Sequence, residues 1–233
     1  MSHAYYQLPN GRVACIDGDC DFPPLSVALT EPNGLIAIGG DLSAARLLKA
    51  YQQGIFPWFS EGEPVMWWSP NPRMVLFPNE LKVSSSLKKT LRKQPFKLRF
   101  NTSFREVISA CSSTPRLDKN NHSAGTWISN EMINAYCELN RLGYAICMES
   151  WLNNQLVGGC YGIKIGRMFY GESMFHHVTD ASKVAFVHLV SYLQTQGVGL
   201  IDCQMKTPLL ASFGGREIER DLFTQDLKFL ISA

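Results

Sequence analysis

The chain has 233 residues, 45% of them hydrophobic, with a formal net charge of +2 and seven cysteines. That length admits one large domain or two small ones, and the composition is that of a chain able to bury a core. No apolar run reaches the ~18 residues that a membrane-spanning helix needs. Met1-Ser2-His3-Ala4-Tyr5-Tyr6 lacks the basic-then-apolar pattern of a signal peptide, which predicts a cytoplasmic protein without membrane attachment. The cysteines are odd in number and never spaced C-x-x-C, so a zinc finger and a disulfide framework are excluded and reduced, mostly buried thiols remain.

Residues 1–30 carry Asn10-Gly11, Asp17-Gly18 and Pro23-Pro24 and read as an irregular or short-stranded start. Asp41-Leu42-Ser43 can cap a helix that continues through Ala44–Tyr51 and ends at Gly54. From Ile55 to Pro78 aromatics and prolines alternate too densely for a regular helix. That stretch is an aromatic-walled connector, the expected seam between a small domain over residues 1–72 and a larger one over 73–233. Its tryptophans either hold the seam together or serve a site.

Met74–Phe77 reads as a strand, Ser84–Gln94 as a basic helix and Lys97–Phe100 as a half-buried strand. From Leu81 to Phe100 there are seven basic residues and no acidic one. Such a run is either a solvated face or a contact for a phosphate backbone. Phe104–Ser112 and Glu131–Leu142 are amphipathic helices, with a polar loop over Ser112–Ala124 between them. Three strands follow, Tyr144–Trp151, Leu156–Ile165 and Met168–Phe175, joined by turns at Asn153-Asn154 and Gly166-Arg167. Asp180-Ala181-Ser182-Lys183 opens a long helix ending near Gly197, Leu200–Cys203 is a short apolar strand, and a last helix covers Glu217–Ile231. The fold class is therefore α+β: a small N-terminal α+β domain, then a domain with a mostly antiparallel sheet flanked by helices. Meander, helix and strand in that order suggest the architecture of the acyl-CoA-dependent N-acyltransferases (GNAT).

Chemistry is concentrated between Gln155 and Gln204, where Glu172, Asp202 and Gln204 stand among apolar strand residues. Polar groups so placed are costly unless paired or used. Strand alternation puts Cys203 on the opposite face from Asp202 and Gln204, so a cleft facing those two leaves Cys203 in the core. A cysteine nucleophile also wants a histidine base, and nothing forces His176, His177 or His188 onto Cys203. The adjacent His176-His177 pair lacks the spacing of a metal site and reads as a solvated turn; no metal is expected. Thr179-Asp180-Ala181-Ser182 lacks the glycines that would grip a pyrophosphate at a helix N-terminus, and Asp180 would repel one. An acyl donor other than CoA follows. A carboxylate can hold a cationic amine, and an amide can accept from an amine or donate to a developing oxyanion. A satisfied buried polar network is the competing reading of the same residues.

Eight segments taken together resemble the leucyl/phenylalanyl-tRNA–protein transferase family: Glu31-Pro32-Asn33-Gly34-Leu35, Gly39-Gly40-Asp41-Leu42, Gly54-Ile55-Phe56-Pro57-Trp58-Phe59, Trp67-Trp68-Ser69-Pro70, Gly125-Thr126-Trp127-Ile128, Gly171-Glu172-Ser173-Met174-Phe175, Ala181-Ser182-Lys183 and Ile201-Asp202-Cys203-Gln204. They occur in order over most of the chain. The resemblance implies a GNAT-like second domain and a monomeric cytoplasmic enzyme without cofactor. It implies transfer of Leu or Phe, less well Met, from aminoacyl-tRNA to proteins with N-terminal Arg or Lys, a mark for degradation in the N-end rule pathway. It further implies that Gln204 positions the attacking amine, that Asp202 orients Gln204, and that Glu172 binds an amino group. Cys160, Phe169, Phe186, Leu189 and Ile201 would wall the pocket for the aminoacyl side chain. Trp58 and Trp127 would flank the terminal adenosine, and Lys88, Lys89, Arg92 and Lys93 would track the acceptor stem. The chain departs from the family pattern at Ile146-Cys147, His176, Leu209 and Ser85, and Cys160 stands where a longer methionine is expected.

Overall fold

The computed structural model describes residues 4–18, 20–114 and 128–232, with the backbone of 116–117 and 123–124. The chain opens with strands β1 (Ala4–Leu8), β2 (Gly11–Ile16) and β3 (Leu35–Gly39) and helix α1 (Ala44–Gln52), followed by β4 (Phe56–Pro57) and β5 (Met66–Trp68). These form a five-stranded sheet in the order β1-β2-β3-β5-β4, antiparallel apart from β2 against β3. Ser43 caps α1 by accepting from the Arg46 amide. The aromatic connector thus contributes two short strands, and the apolar Leu35–Gly39 segment, not anticipated as a strand, lies at the sheet's centre.

The rest of the chain runs β6 (Arg73–Leu76), α2 (Ser85–Lys93), β7 (Lys97–Phe100) and α3 (Phe104–Ser113), then the short pair β8 (Arg116–Leu117) and β9 (Ser123–Ala124), then α4 (Asn130–Arg141). It continues with β10 (Ala145–Leu152), β11 (Gln155–Ile165), β12 (Met168–His176), α5 (Ala181–Thr195), β13 (Leu200–Gln204), α6 (Pro208–Ser212), β14 (Arg216–Ile218) and α7 (Arg220–Ile231). Seven of these strands form one sheet, β14-β6-β13-β12-β11-β10-β7, antiparallel except for β12 against β13. The α+β class and the order meander, helix, strand are as the sequence predicts, and the strand after the helix joins β12 in parallel. The last helix starts three residues later than Glu217, because Arg216–Ile218 completes the hydrogen bonding of β6 and Glu219 becomes the cap. Of the loop expected over Ser112–Ala124, the start belongs to α3, Arg116–Leu117 and Ser123–Ala124 pair as the strands β8 and β9, and residues 115 and 118–122 lie outside the described ones.

Two apolar layers sandwich the large sheet. Helices α2 and α5 cover one face through Leu87, Val184, Phe186, Leu189 and Leu193. Helices α1, α3, α4 and α7 cover the other in a core continuous with the small sheet. The meander's first turn uses positive φ at both Asn153 and Asn154, a conformation asparagine tolerates and one that matches strand twist. Gly162 is required by packing: a Cβ there would lie 2.1 Å from the Tyr170 carbonyl oxygen. That close approach marks an irregularity in the sheet on which the site is built.

Candidate active site

The ladder of β11 against β12 pairs Gly162 with Gly171 and then Tyr161 with Ser173, so Glu172 is an extra residue bulged out of the register. On the other side, β13 pairs Asp202 with Val75 and then Gln204 with Met74, leaving Cys203 as the extra residue of a second bulge. The parallel rungs between β12 and β13 end at Tyr170 opposite Asp202. Glu172 and Gln204 stand just past that last rung, one on each strand. The Gln204 side-chain amide spans the gap, its Nε2 donating to Glu172 Oε1 at 3.1 Å.

A cleft of about 1040 Å³ opens at this point. Cys160, Phe169, Phe186, Leu189 and Ile201 form its buried apolar end, and Glu172 and Gln204 add polar groups to the wall. Trp58 lines the cleft where it meets solvent, 39% exposed, with its ring 5.6 Å from that of Trp68. Glu61 and Glu63 are exposed at the same end and also border a neighbouring recess of about 330 Å³. Trp127, the other tryptophan expected here, lies outside the described residues. Lys88, Lys89, Arg92 and Lys93 are all exposed on α2.

Asp202 does not reach the cleft. It is fully buried, and Arg73 donates to both of its oxygens, Nε to Oδ1 at 2.8 Å and Nη2 to Oδ2 at 2.7 Å. The Arg73 guanidinium lies over the rings of Phe56, 4.8 Å away, and Phe223, 4.7 Å away. Asp202 Oδ1 also accepts from the Gln204 backbone N–H at 2.9 Å, which fixes Gln204 in its left-handed conformation of φ +62°. Simple alternation therefore fails at this strand end. Cys203 and Gln204 both line the cleft while Asp202 is sealed behind it, because the bulge at Cys203 resets the two-residue period. The Cys203 and Cys160 thiols are pushed up by burial, far from the thiolate that a nucleophile would need.

Two tyrosines that sequence reasoning missed complete the site. Tyr51 of α1 donates to Glu172 Oε1 at 2.8 Å, Tyr136 of α4 donates to Oε2 at 3.1 Å, and the two phenol oxygens lie within hydrogen-bond distance of each other. The Tyr170 hydroxyl holds the Tyr51 carbonyl at 2.9 Å, tying α1 to β12. Burial pushes the Glu172 carboxyl up to about 7; its two phenol hydrogen bonds oppose this, the Asp202 charge adds to it and the Arg73 charge subtracts. Burial, with the nearby Glu172 charge, holds both phenols well above their ordinary range. Tyr51 and Tyr136 occupy apolar helix faces and carry no sequence signal of this role. Arg73 carried one: a charge inside an apolar strand has to find a carboxylate.

Among the described residues no cluster of histidine, cysteine and carboxylate could hold a metal, and no helix is long and apolar enough to cross a membrane. His176 and His177 are exposed at the end of β12. At the start of α5, Asp180 accepts from Thr90 at 3.0 Å and pairs with Lys183 at 3.1 Å.

Residues 75–228 match the family model described as leucyl/phenylalanyl-tRNA protein transferase, and residues 40–71 match the one described as that protein's N-terminal domain. The leucyl/phenylalanyl-tRNA–protein transferase of Nitrosospira multiformis is 56% identical over 217 residues, covering 93% of this chain and 91% of that one. The protein of the same name from Chromobacterium violaceum is 58% identical over 207 residues, covering 89% and 87%. Among solved structures, L-PGS from Bacillus licheniformis is 8% identical, with a TM-score of 0.42 over 85% of this chain and 73% of that one. A GCN5-related N-acetyltransferase-like protein from Streptococcus suis is 11% identical, with a TM-score of 0.37 over 75% and 64%.

Proposed function

Because the chain belongs to the leucyl/phenylalanyl-tRNA protein transferase family, we propose that it moves Leu or Phe, and less well Met, from aminoacyl-tRNA to the N-terminal Arg or Lys of proteins. The product would be marked for degradation by the N-end rule pathway, and the enzyme would act as a cytoplasmic monomer without cofactor. One observation carries this reading: a Glu172–Gln204 pair bridges the open end of the β12/β13 split inside an apolar cleft. An aminoacyl ester brings an apolar side chain, an ester carbonyl and an amino group to that cleft, and the acceptor brings a second amine.

Cys160, Phe169, Phe186, Leu189 and Ile201 then hold the Leu or Phe side chain, with about 1–3 kcal/mol of discrimination per methylene. Trp58, with Trp127, flanks the terminal adenosine, where stacking contributes roughly 1–3 kcal/mol. Lys88, Lys89, Arg92 and Lys93 meet the phosphates of the acceptor stem without reading sequence. Gln204 has one amide hydrogen committed to Glu172, so its carbonyl is left to orient the attacking amine. Asp202, neutralised by Arg73, is a positioning residue that sets the Gln204 backbone. Glu61 and Glu63 at the cleft mouth suit an acceptor with a basic first residue. An aminoacyl ester is already activated, so holding amine and carbonyl together supplies much of the rate. The carboxylate of Asp180 at the start of α5 disfavours a pyrophosphate there, in keeping with a donor other than CoA.

The test charges tRNA with labelled Leu or Phe and offers one protein beginning with Arg and one beginning with Ala. Label on the Arg protein alone is expected. Tight tRNA binding with no transfer to either protein would overturn the reading in favour of a non-catalytic RNA-binding relative.

A further inference from the structure

Tyr51, Tyr136 and Glu172 form a closed ring of three hydrogen-bonded oxygen pairs: phenol with phenol, Tyr51 with Oε1, and Tyr136 with Oε2. Each pair needs one hydrogen, and each phenol supplies one. Both phenols keep theirs, since burial and the nearby carboxylate oppose their ionisation. An ionised Glu172 therefore leaves two hydrogens for three pairs, and one oxygen pair meets lone pair to lone pair. A protonated Glu172 supplies the third. The ring is then filled in one direction: Glu172 Oε2–H to Tyr136, Tyr136 to Tyr51, Tyr51 to Glu172 Oε1. The Gln204 amide donates to Oε1 in either state.

Among the described residues, the other polar groups near the reacting centre are engaged or lie elsewhere. Both oxygens of Asp202 are committed to Arg73 in the buried pair. The Gln204 amide is not basic, and the Cys160 and Cys203 thiols keep their hydrogens through burial. Glu61 and Glu63 are exposed at the solvent end. Among the described residues, the titratable and charged groups that act on Glu172 are Tyr51 on α1, Tyr136 on α4, Asp202 on β13 and Arg73 on β6, and Cys160 and Tyr161 of β11 and Cys203 of β13 line the same cleft.

We propose that Glu172 is the proton acceptor of the transfer: it takes one proton from the acceptor's α-ammonium group, and that proton closes the hydrogen-bond ring through Tyr136 and Tyr51. The proposal rests on the aminoacyl-transfer reading above. An N–H bond of the ammonium breaks and an O–H bond forms on Glu172. The freed lone pair forms the C–N bond to the ester carbonyl carbon, and the C–O bond to the ribose breaks. A second proton passes from nitrogen to the departing ribose oxygen, and the new amide keeps the third nitrogen hydrogen. Glu172 then returns its proton to water in the cleft. The base acts in its ionised form, so the rate rises as pH rises through the Glu172 ionisation near 7.

Two measurements test this on the full chain. The first titrates ¹³C-labelled glutamate carboxyls by NMR, with Glu172 assigned from its missing signal in E172Q. A midpoint near 7 without substrate is expected, and a midpoint in the ordinary carboxylate range would overturn the proposal. The second compares wild type and E172Q on an Arg peptide with a normal α-amine and on its α-aminooxy analogue, whose nucleophile is already neutral at pH 7. E172Q should lose about a hundredfold or more in kcat on the amine, with KM for the peptide held within about threefold. On the aminooxy analogue it should lose less than about threefold. An equal loss on both nucleophiles would make Glu172 a positioning residue only and sink the proposal. A wild type that transfers to neither would instead sink the aminoacyl-transfer reading, and the proposal with it. If E172Q does not fold, the wild-type titration still decides, with the Glu172 signal assigned from E172D.

Discussion

Asp202→Asn should destabilise the fold far more than its distance from the cleft suggests. The substitution keeps the shape and leaves an oxygen to accept from the Gln204 amide, but removes the charge that faces Arg73. Both side chains are inaccessible to water, and two hydrogen bonds of 2.7–2.8 Å join them. The third guanidinium nitrogen, Nη1, already has no hydrogen-bond partner among the described residues, because the Phe56 and Phe223 rings surround it. Among the described residues Arg73 makes no ion pair with a second carboxylate. Breaking a buried pair from one side costs about 3–5 kcal/mol, mostly the uncompensated charge left behind. For a chain of this size 1 kcal/mol shifts the melting temperature by about 2–4 °C, so a drop of roughly 6–20 °C follows. Thermal and urea unfolding of the wild type, D202N, R73M and D202N/R73M measure it. The double variant should recover a large part of the loss, since it removes the stranded charge. A D202N chain within about 1 kcal/mol of wild type, or a double variant worse than both singles combined, would refute the assignment of Asp202 to a buried ion pair.

Gln204→Ala should lower transfer with little loss of tRNA affinity, read by single-turnover transfer and filter binding; equal losses in both would show that Gln204 holds RNA rather than the amine. Lys88→Glu with Lys89→Glu should weaken tRNA binding and lower the slope of log affinity against log salt by about 0.7–0.9 for each phosphate left without its lysine; a salt-independent weakening would exclude a role in phosphate binding. Glu149→Gln should cost about 1–3 kcal/mol, because this buried carboxylate accepts from the Thr102 amide at 2.6 Å, the Thr102 hydroxyl at 2.6 Å, the Ser103 amide at 2.7 Å and the Trp151 indole at 2.8 Å, and so caps the start of α3. Burial pushes its carboxyl up, but these hydrogen bonds outweigh burial and hold it below the usual carboxylate range. A depressed folded-state pKa adds stability above the unfolded-state value of about 4.3. The gap between wild type and E149Q should thus be full near neutral pH and close as pH falls through the folded-state pKa; a gap that widens in acid would contradict this sign.

How far the sequence could be read depended on whether a feature was local. The turn at Asn153-Asn154 and the cap at Ser43 are decided within a few residues, and the structure has them where the chain predicts. Period-two alternation located β10 to β13 but could not reveal the register slips at Glu172 and Cys203, because a bulge is defined by the partner strand and not by the bulged one. That is why Asp202 and Gln204 looked like neighbours on one face when one is sealed beneath the other. The partners of Glu172 are more distant still: Tyr51 lies 121 residues away and Tyr136 lies 36, each on a helix whose apolar face reads as core. Only the closed fold brings the two phenols onto one carboxylate, and only their joint geometry makes the hydrogen count come out one short. Burial in the folded chain, which no local pattern announces, pushes the carboxyl of that residue up to about 7 against the pull of its two phenol hydrogen bonds.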